Sequence, residues 1–478
     1  MKYNDLREWI EIVRNWGELT TIPGAHWDLE IGALTDLGGK MGRGPALLFD
    51  SIPGYPEGFR VLTNALASGN RLALTLGLPG GLSDLELMRA WQRRSQEIRL
   101  IPPKKVGDGP VMENVMTGDD IDVFKFPAPR WHELDGGRYI GTGSAVISLD
   151  PDEGWVNLGT YRMMTQDRNH ISLYISPGKH GRIHREKYLS RNRPWPVAVS
   201  FGHDPLIFLV SSLEVLYGVS EYEYAGGIKG EPIEVIEGRV TGLPFPASSE
   251  LVMEGFIYPG DVRPEGPFGE WTGYYASAQR EEPVLEVKAI YHRNDPIILG
   301  SPPGKPPVEQ SYYRAIMRAA LIDEELRRAG VPDVRGVWCH QAGGSRLLTV
   351  VAIRQRYPGH AKQAALIASA CHAGAYLGRY VIVVDDDIDI TNLEEVMWAV
   401  CTRSDPEKDI DIIRRCWSGP LDPIIPPGQK GFNSRGIIDA TRPYEWRDEF
   451  PPVVEVSPEL KERVLKKWGD LLKKGGER

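Results

Sequence analysis

Several absences narrow the field before any motif is considered. Only four cysteines occur in 478 residues, Cys339, Cys371, Cys401 and Cys416, and no two form a CxxC pair. Neither a zinc knot nor a disulfide scaffold is indicated, and a reducing cytoplasm is the expected compartment. Nowhere do about 18 uncharged apolar residues run together, and the amino-terminal MKYNDLREWIEIVRNWGELTTI has no apolar h-region. Neither secretion nor a membrane span is expected. Positive charge is short as well: 56 Lys+Arg against 65 Asp+Glu give a net charge of −9, which argues against nucleic acid as a partner. GxxxxGK[ST], HExxH and GxSxG are missing, which weakens kinase-like, zinc-protease and hydrolase readings.

What is present fits a globular chain of two to four domains, 41% hydrophobic and 25% charged, without internal repeats. The 38 prolines and 52 glycines lack the repetitiveness of disorder, so they predict many shaped loops, the usual carriers of function. Residues 1–110 read as mixed α/β. Asn4 can cap a helix with Leu6, Trp9, Ile10 and Val13 on one face, ended by Gly17, and Ser83 with Glu86 makes a capping box for a second. Residues 111–305 change to short β-branched runs (AVISL, ISLYI, PVAVSF, LIFLV, IEVIEGRV, VLEVKAIY, PIILG), which predict a mostly antiparallel barrel. GSPPGKPP at 300–307 is a linker or an ordered crossing. Residues 306–450 alternate helices with strands VRGVWCH, LLTVVAI and YVIVVDD, a partly parallel α/β domain, with Thr391 and Glu394 as a capping box. Residues 451–478 end in an amphipathic helix carrying Leu460, Val464 and Leu471, the kind of stripe that docks on another subunit.

Two motifs are set aside. GTGSAV at 141–146 is half of a dinucleotide fingerprint, without its third glycine or a following helix, and reads as a turn leading into a strand. Asp385, Asp386, Asp387 and Asp389 read as a solvated turn before the Thr391 cap rather than a magnesium site. More informative is PEGPFGEWTGYY at 264–275, where three glycines and two prolines impose a specified path between Glu265 and Glu270. Phe268, Trp271, Tyr274 and Tyr275 are more aromatic surface than a solvated loop needs, so the loop is expected to close over a cleft. Upstream, WVNLGTYRMMTQDRNHISLYISPGKHGRIH places Asn157 and Arg162 by a strand that turns at 167–169 and returns toward His180. Asn, His and a carboxylate form a ligand set suited to Mn²⁺ or a similar ion, and Glu221, beyond LIFLV, can supply the carboxylate.

In this order, Asn157 and Arg162 five residues apart, His180, Ser211-Ser212 followed by Glu221, and the EGPFGE loop resemble the UbiD-like (de)carboxylases, which bind prenylated FMN. The resemblance covers most of the chain, including DDDID and the NSRGIIDAT segment at 433–441. It implies a central split β-barrel of flavin-reductase type between α/β domains. It further implies that Asn157, His180 and Glu221 hold Mn²⁺ against the cofactor phosphate, while Ser211, Ser212 and the backbone near Leu213 seat K⁺ and phosphate. Leu158, Gly159, Thr160, Tyr161 and Arg162 line the cofactor, Lys179 is a further contact, and Arg435 stands where the family often has Lys, with different hydrogen-bond geometry. Arg162, Glu265 and Glu270 are the implied catalytic group.

The resemblance predicts a reversible decarboxylase of an aromatic or α,β-unsaturated acid. The cofactor carries the difficult electron demand, Arg162 grips the carboxylate, Glu265 orients Arg162 and Glu270 donates the proton. Two carboxylates around one arginine in a partly apolar site favour keeping one protonated. A flavin prenyltransferase supplying the cofactor and assembly as a homodimer or homohexamer complete the expectation. The competing readings are an ordinary FMN oxidoreductase on the same barrel and a flavin-carrying subunit of a larger carboxylase complex.

Overall fold

The computed structural model describes residues 2–41, 44–213, 215–419, 421–426, 429 and 431–474, without the side chains of 470–474. The first helix, Leu6–Asn15, buries Leu6, Trp9, Ile10 and Val13; its cap is Asp5, one residue after the expected Asn4, because the Asp5 carboxylate accepts from Glu8 N. The Ser83–Glu86 capping box opens Asp84–Gln96 as expected. Strands Leu19–Pro23, Ala46–Asp50, Arg60–Thr63 and Ile297–Gly300 form the amino-terminal sheet. The last of these is PIILG, expected in the barrel; it instead runs parallel to Arg60–Thr63 and ties the end of the central segment to the amino-terminal one.

The central sheet follows the order Tyr139–Gly141, Arg162–Thr165, His170–Tyr174, Arg280–His292, Leu251–Glu265, Trp195–Gly202, Ala145–Leu149, Val156–Gly159, and Asn114–Thr117 adds to Arg280–His292. One connection fixes its shape. Val156–Gly159 is an edge strand, Arg162–Thr165 lies one strand in from the opposite edge, and only Thr160 and Tyr161 separate them. So short a link reaches at most roughly 10 Å, so the two edges must approach and the sheet curls into a split barrel. Two apolar runs differ from expectation. LIFLV belongs to the helix Pro205–Ser211, opened by Asp204, whose carboxylate accepts from Leu206 N, and by Pro205 in the first turn. A fully buried helix is apolar all round, so hydrophobicity alone does not separate it from a buried strand. IEVIEGRV contributes Glu234–Glu237 to a small separate sheet with Pro244–Pro246 and Lys104–Lys105.

Helix Glu309–Arg328 leads into a five-stranded sheet ordered Val334–Cys339, Leu348–Ile353, Tyr380–Asp385, Phe432–Ala440, Ile410–Trp417, parallel in the middle and antiparallel at both edges. Asn392, not Thr391, caps Leu393–Arg403; Thr391 Oγ donates instead to Asp389. The acidic turn is largely paired: Asp385 and Asp387 with Arg403, and Asp386 with Arg354. The terminal helix Pro458–Lys474 leaves Leu460, Val464, Leu465 and Trp468 exposed; the Leu471 side chain lies outside the described residues. No helix among the described residues is long and apolar enough to cross a membrane, and all four cysteines are free.

Candidate active site

Arg162 begins a barrel strand, and Glu265 ends the long strand Leu251–Glu265. The Gly-Pro-Phe-Gly turn then carries Glu270 back to the same guanidinium. Arg162 Nη2 donates to Glu265 Oε2 at 2.9 Å and Nη1 to Glu270 Oε1 at 2.6 Å. Both carboxylates are buried. The Arg162 guanidinium also lies 4.5 Å from the Tyr174 ring centre and 5.4 Å from that of Phe268. Burial works against the Arg162 charge, but Glu270 and Glu265 outweigh it and raise its pKa above the ordinary value. Burial pushes Glu270 up to about 7, against the pull of Arg162 and Arg280. One carboxyl of this group is therefore poised to hold a proton near neutrality.

The loop rests on residues 131–139, which the sequence reading passed over. Tyr139 Oη donates to Glu265 Oε1 at 2.9 Å, and burial together with Glu265 keeps this phenol protonated. Asp135, itself buried, accepts from Gly269 N at 3.2 Å, and Gly136 N donates to Pro267 O at 2.8 Å. A Cβ at Gly136 would stand 2.1 Å from Gly266 O, so only glycine fits. The Gly136-Gly137 pair was the available signal: adjacent glycines mark a close backbone approach. Trp271, one of the aromatics expected to close over a cleft, packs against the carboxy-terminal region, where a Cβ on Gly344 would meet its ring at 2.4 Å.

A second cluster forms where Val156–Gly159 meets two helix starts, at His180 and Glu221. Glu221 Oε2 accepts from Leu158 N at 2.6 Å, Thr160 N donates to Ser211 O at 2.9 Å, and Gly181 N donates to Tyr161 Oη at 3.2 Å. Tyr161, its hydroxyl raised to about 12 chiefly by burial, feels both Asn157 and Glu221. His180 stands edge-on to Trp155 at 5.3 Å. Thus Asn157, Leu158, Thr160, Tyr161, His180, Ser211 and Glu221 come together, with Gly159 in the strand and Lys179 at the cap before His180. Ser212 Oγ turns back to Leu209 O, and Leu213 N donates to Val210 O. Arg435 is placed elsewhere: it is buried in the carboxy-terminal domain, donating to the carbonyls of Ser369, Gly374, Ala375 and Trp417. Both terminal nitrogens of its planar fork donate to those carbonyls, a geometry a lysine could not match.

Asn157 Nδ2, Thr160 Oγ1 and Ser211 Oγ are buried with no hydrogen-bond partner among the described residues. Buried polar atoms are rarely left so, and burial pushes the Glu221 carboxyl up to about 8. Donors without acceptors and a carboxylate without a cation are the complement of a phosphate and a metal ion. Among the described residues, no three His, Cys, Asp or Glu side chains converge on a metal position.

The comparisons agree with this architecture. Models of the 3-octaprenyl-4-hydroxybenzoate carboxy-lyase amino-terminal, Rift-related and carboxy-terminal domains match residues 10–91, 104–306 and 311–440. The chain is 34% identical to a phenolic acid decarboxylase of Bacillus subtilis over 93% of both chains. It is 31% identical to a pyrrole-2-carboxylic acid decarboxylase of Pseudomonas aeruginosa over 98% of both. Among solved structures, the UbiD-class enzyme HmfF of Pelotomaculum thermopropionicum in complex with FMN superposes with a TM-score of 0.87 at 29% identity, covering 97% of this chain and all of that one. An evolved dimeric form of HmfF in complex with prFMN gives 0.83 at 28%, covering 98% of this chain and all of that one. Three consecutive domain matches, full-length relatives and a barrel that brings Arg162, Glu265 and Glu270 into one ion-paired group place this chain in the UbiD family of carboxy-lyases.

Proposed function

We propose that the protein is a prenylated-FMN-dependent, reversible, non-oxidative decarboxylase of an aromatic or α,β-unsaturated carboxylic acid. The observation that carries this reading is the Glu265–Arg162–Glu270 group, with Glu270 raised to about 7. Asn157, His180 and Glu221 would hold Mn²⁺; Ser211, Ser212 and Leu213 would seat K⁺ and the phosphate; residues 158–161 and Lys179 would line the flavin. The orphaned polar atoms of Asn157, Thr160 and Ser211 support that fit. When bound, a prenylated flavin supplies the electron sink that loss of CO₂ from an sp² carbon requires.

The chain's own residues do the rest. Arg162 Nε has no hydrogen-bond partner among the described residues, so the guanidinium retains one N–H for the substrate carboxylate while Glu265 fixes its orientation. Tyr139 in turn fixes Glu265. Glu270 holds the proton that replaces CO₂ on the vacated carbon, and in the reverse direction the same carboxylate takes it back. Phe268, Tyr139 and Tyr174 give the site dry walls that keep the acid protonated. Relatives named for phenolic and pyrrole-2-carboxylic acids support a planar aromatic substrate. The exposed stripe on Pro458–Lys474 supports self-association, at least as a dimer.

The test is a screen of aryl and α,β-unsaturated acids in D₂O with protein co-produced with a flavin prenyltransferase. The expected result is CO₂ release with one deuteron at the vacated carbon. Turnover that consumes a nicotinamide reductant and leaves the carboxyl in place would overturn the reading in favour of an ordinary FMN oxidoreductase.

A further inference from the structure

Across the antiparallel ladder, Arg280 is the direct partner of Glu265, and Tyr174 is the direct partner of Arg162. The Arg280 guanidinium lies 3.6 Å from the Tyr174 ring centre, the same ring that Arg162 overlies at 4.5 Å. Two cations are therefore held by one aromatic ring, with Arg280 on the strand next to that of Glu265. Arg280 Nε makes an ion pair with Glu282 Oε1 at 2.8 Å without an aligned hydrogen bond, and its buried Nη2 has no hydrogen-bond partner among the described residues. A planar fork fixed by stacking, with one buried N–H uncommitted, is a fixed charge rather than a saturated structural link.

Charge balance indicates where it acts. Arg162 with Glu265 is neutral, so a proton lost from Glu270 leaves the group with one negative charge in a dry site. Resting on the reading of Glu270 as proton donor, we propose that Arg280 is a positioning residue that stabilises the Glu270 carboxylate after proton transfer and so sets the pH above which the donor is spent. Arg280 is the next cation after Arg162 among the influences on Glu270. The other charged or titratable groups around it are Glu265, Glu282 and Tyr174 on the barrel, the buried Arg185, which acts on Glu282 and Tyr174, His132, Asp135 and Tyr139 beneath the loop, and Lys305 and Arg346 beside residues 271–273. None of these cations shares the ring that holds Arg162.

The experiment compares Arg280→Gln, Arg280→Lys and Tyr174→Leu with wild type in two readouts. One is the pH profile of kcat/KM in the reconstituted enzyme. The other is an infrared pH titration of the Glu270 carboxyl in cofactor-free protein, identified by its loss in Glu270→Gln. Removing an opposite charge raises a carboxyl pKa, commonly by about 1–3 units at close range. The Arg280 side chain is 31% exposed, so the low end applies. Arg280→Gln should move both the descending limb and the carboxyl titration upward by about one unit, Arg280→Lys should restore most of the shift, and Tyr174→Leu should move both a smaller distance in the same direction. A uniform loss of rate with both titrations unmoved would overturn the proposal and leave Arg280 a structural partner of Glu282. Because the infrared titration needs neither flavin nor turnover, it still decides the role of Arg280 if Glu270 proves not to be the donor.

Discussion

Around Arg162 both terminal nitrogens are taken by carboxylates, one carboxylate is held by Tyr139, and the loop between them is pinned by Asp135 and Gly136. A short distance along the same chain, Asn157 Nδ2, Thr160 Oγ1 and Ser211 Oγ have no partner among the described residues, and Glu221 is a buried carboxyl raised to about 8. The first region completes its hydrogen bonds from within except at Arg162 Nε, so its geometry is set before a substrate arrives. The second would be completed, on the function proposed above, by an anion and a cation. On the proposed function, the comparison predicts that loss of residues in the first region stops chemistry and loss of residues in the second empties the site.

Five outcomes would sharpen or break that separation. Glu270→Gln should cost about 10²–10⁴-fold in kcat, the range of general acid catalysis, while flavin content stays at the wild-type level. With the intact acid, kcat/KM should fall as pH rises through about 7, because the donor acts in its protonated form. A rate-pH profile between pH 5 and 9 checks the sign, and a limb rising with pH would break the assignment. His180→Ala should lower flavin and metal retention by about 10-fold or more, measured by absorbance and metal analysis; undiminished content would move the cofactor elsewhere. Tyr139→Phe removes one hydrogen bond to a charged acceptor, worth about 1.5–3 kcal/mol. It should therefore lower kcat/KM by roughly 10- to 100-fold, chiefly through KM, with flavin content unchanged. Smallest in its effect on chemistry, deletion of residues 459–478 should weaken self-association in sedimentation while the rate per subunit stays within about twofold, a change typical of sites remote from the chemistry.

Much of the site was legible because its residues lie in short, ordered stretches: Asn157 and Arg162 five apart, Glu265 and Glu270 in one loop, His180 and Glu221 at helix starts. What escaped depends on register. Tyr174 meets Arg162 and Arg280 meets Glu265 only because strands far apart in the chain pair in one alignment, and a shift of one residue would turn those side chains to the other face. LIFLV was misread because a buried helix and a buried strand are equally apolar, and PIILG because its partner lies more than two hundred residues upstream. Arg435 was carried over from a family position usually held by lysine, and both its terminal nitrogens already donate to carbonyls, four in all.

The most direct test is the mass of the flavin and metal released from protein co-produced with a flavin prenyltransferase, set against turnover of an aryl acid by the same sample. The account predicts prenylated FMN with manganese, and CO₂ release in proportion to the prenylated fraction. Decarboxylation by protein carrying only unmodified FMN, or a full complement of prenylated FMN without CO₂ release from any aryl or α,β-unsaturated acid, would contradict it.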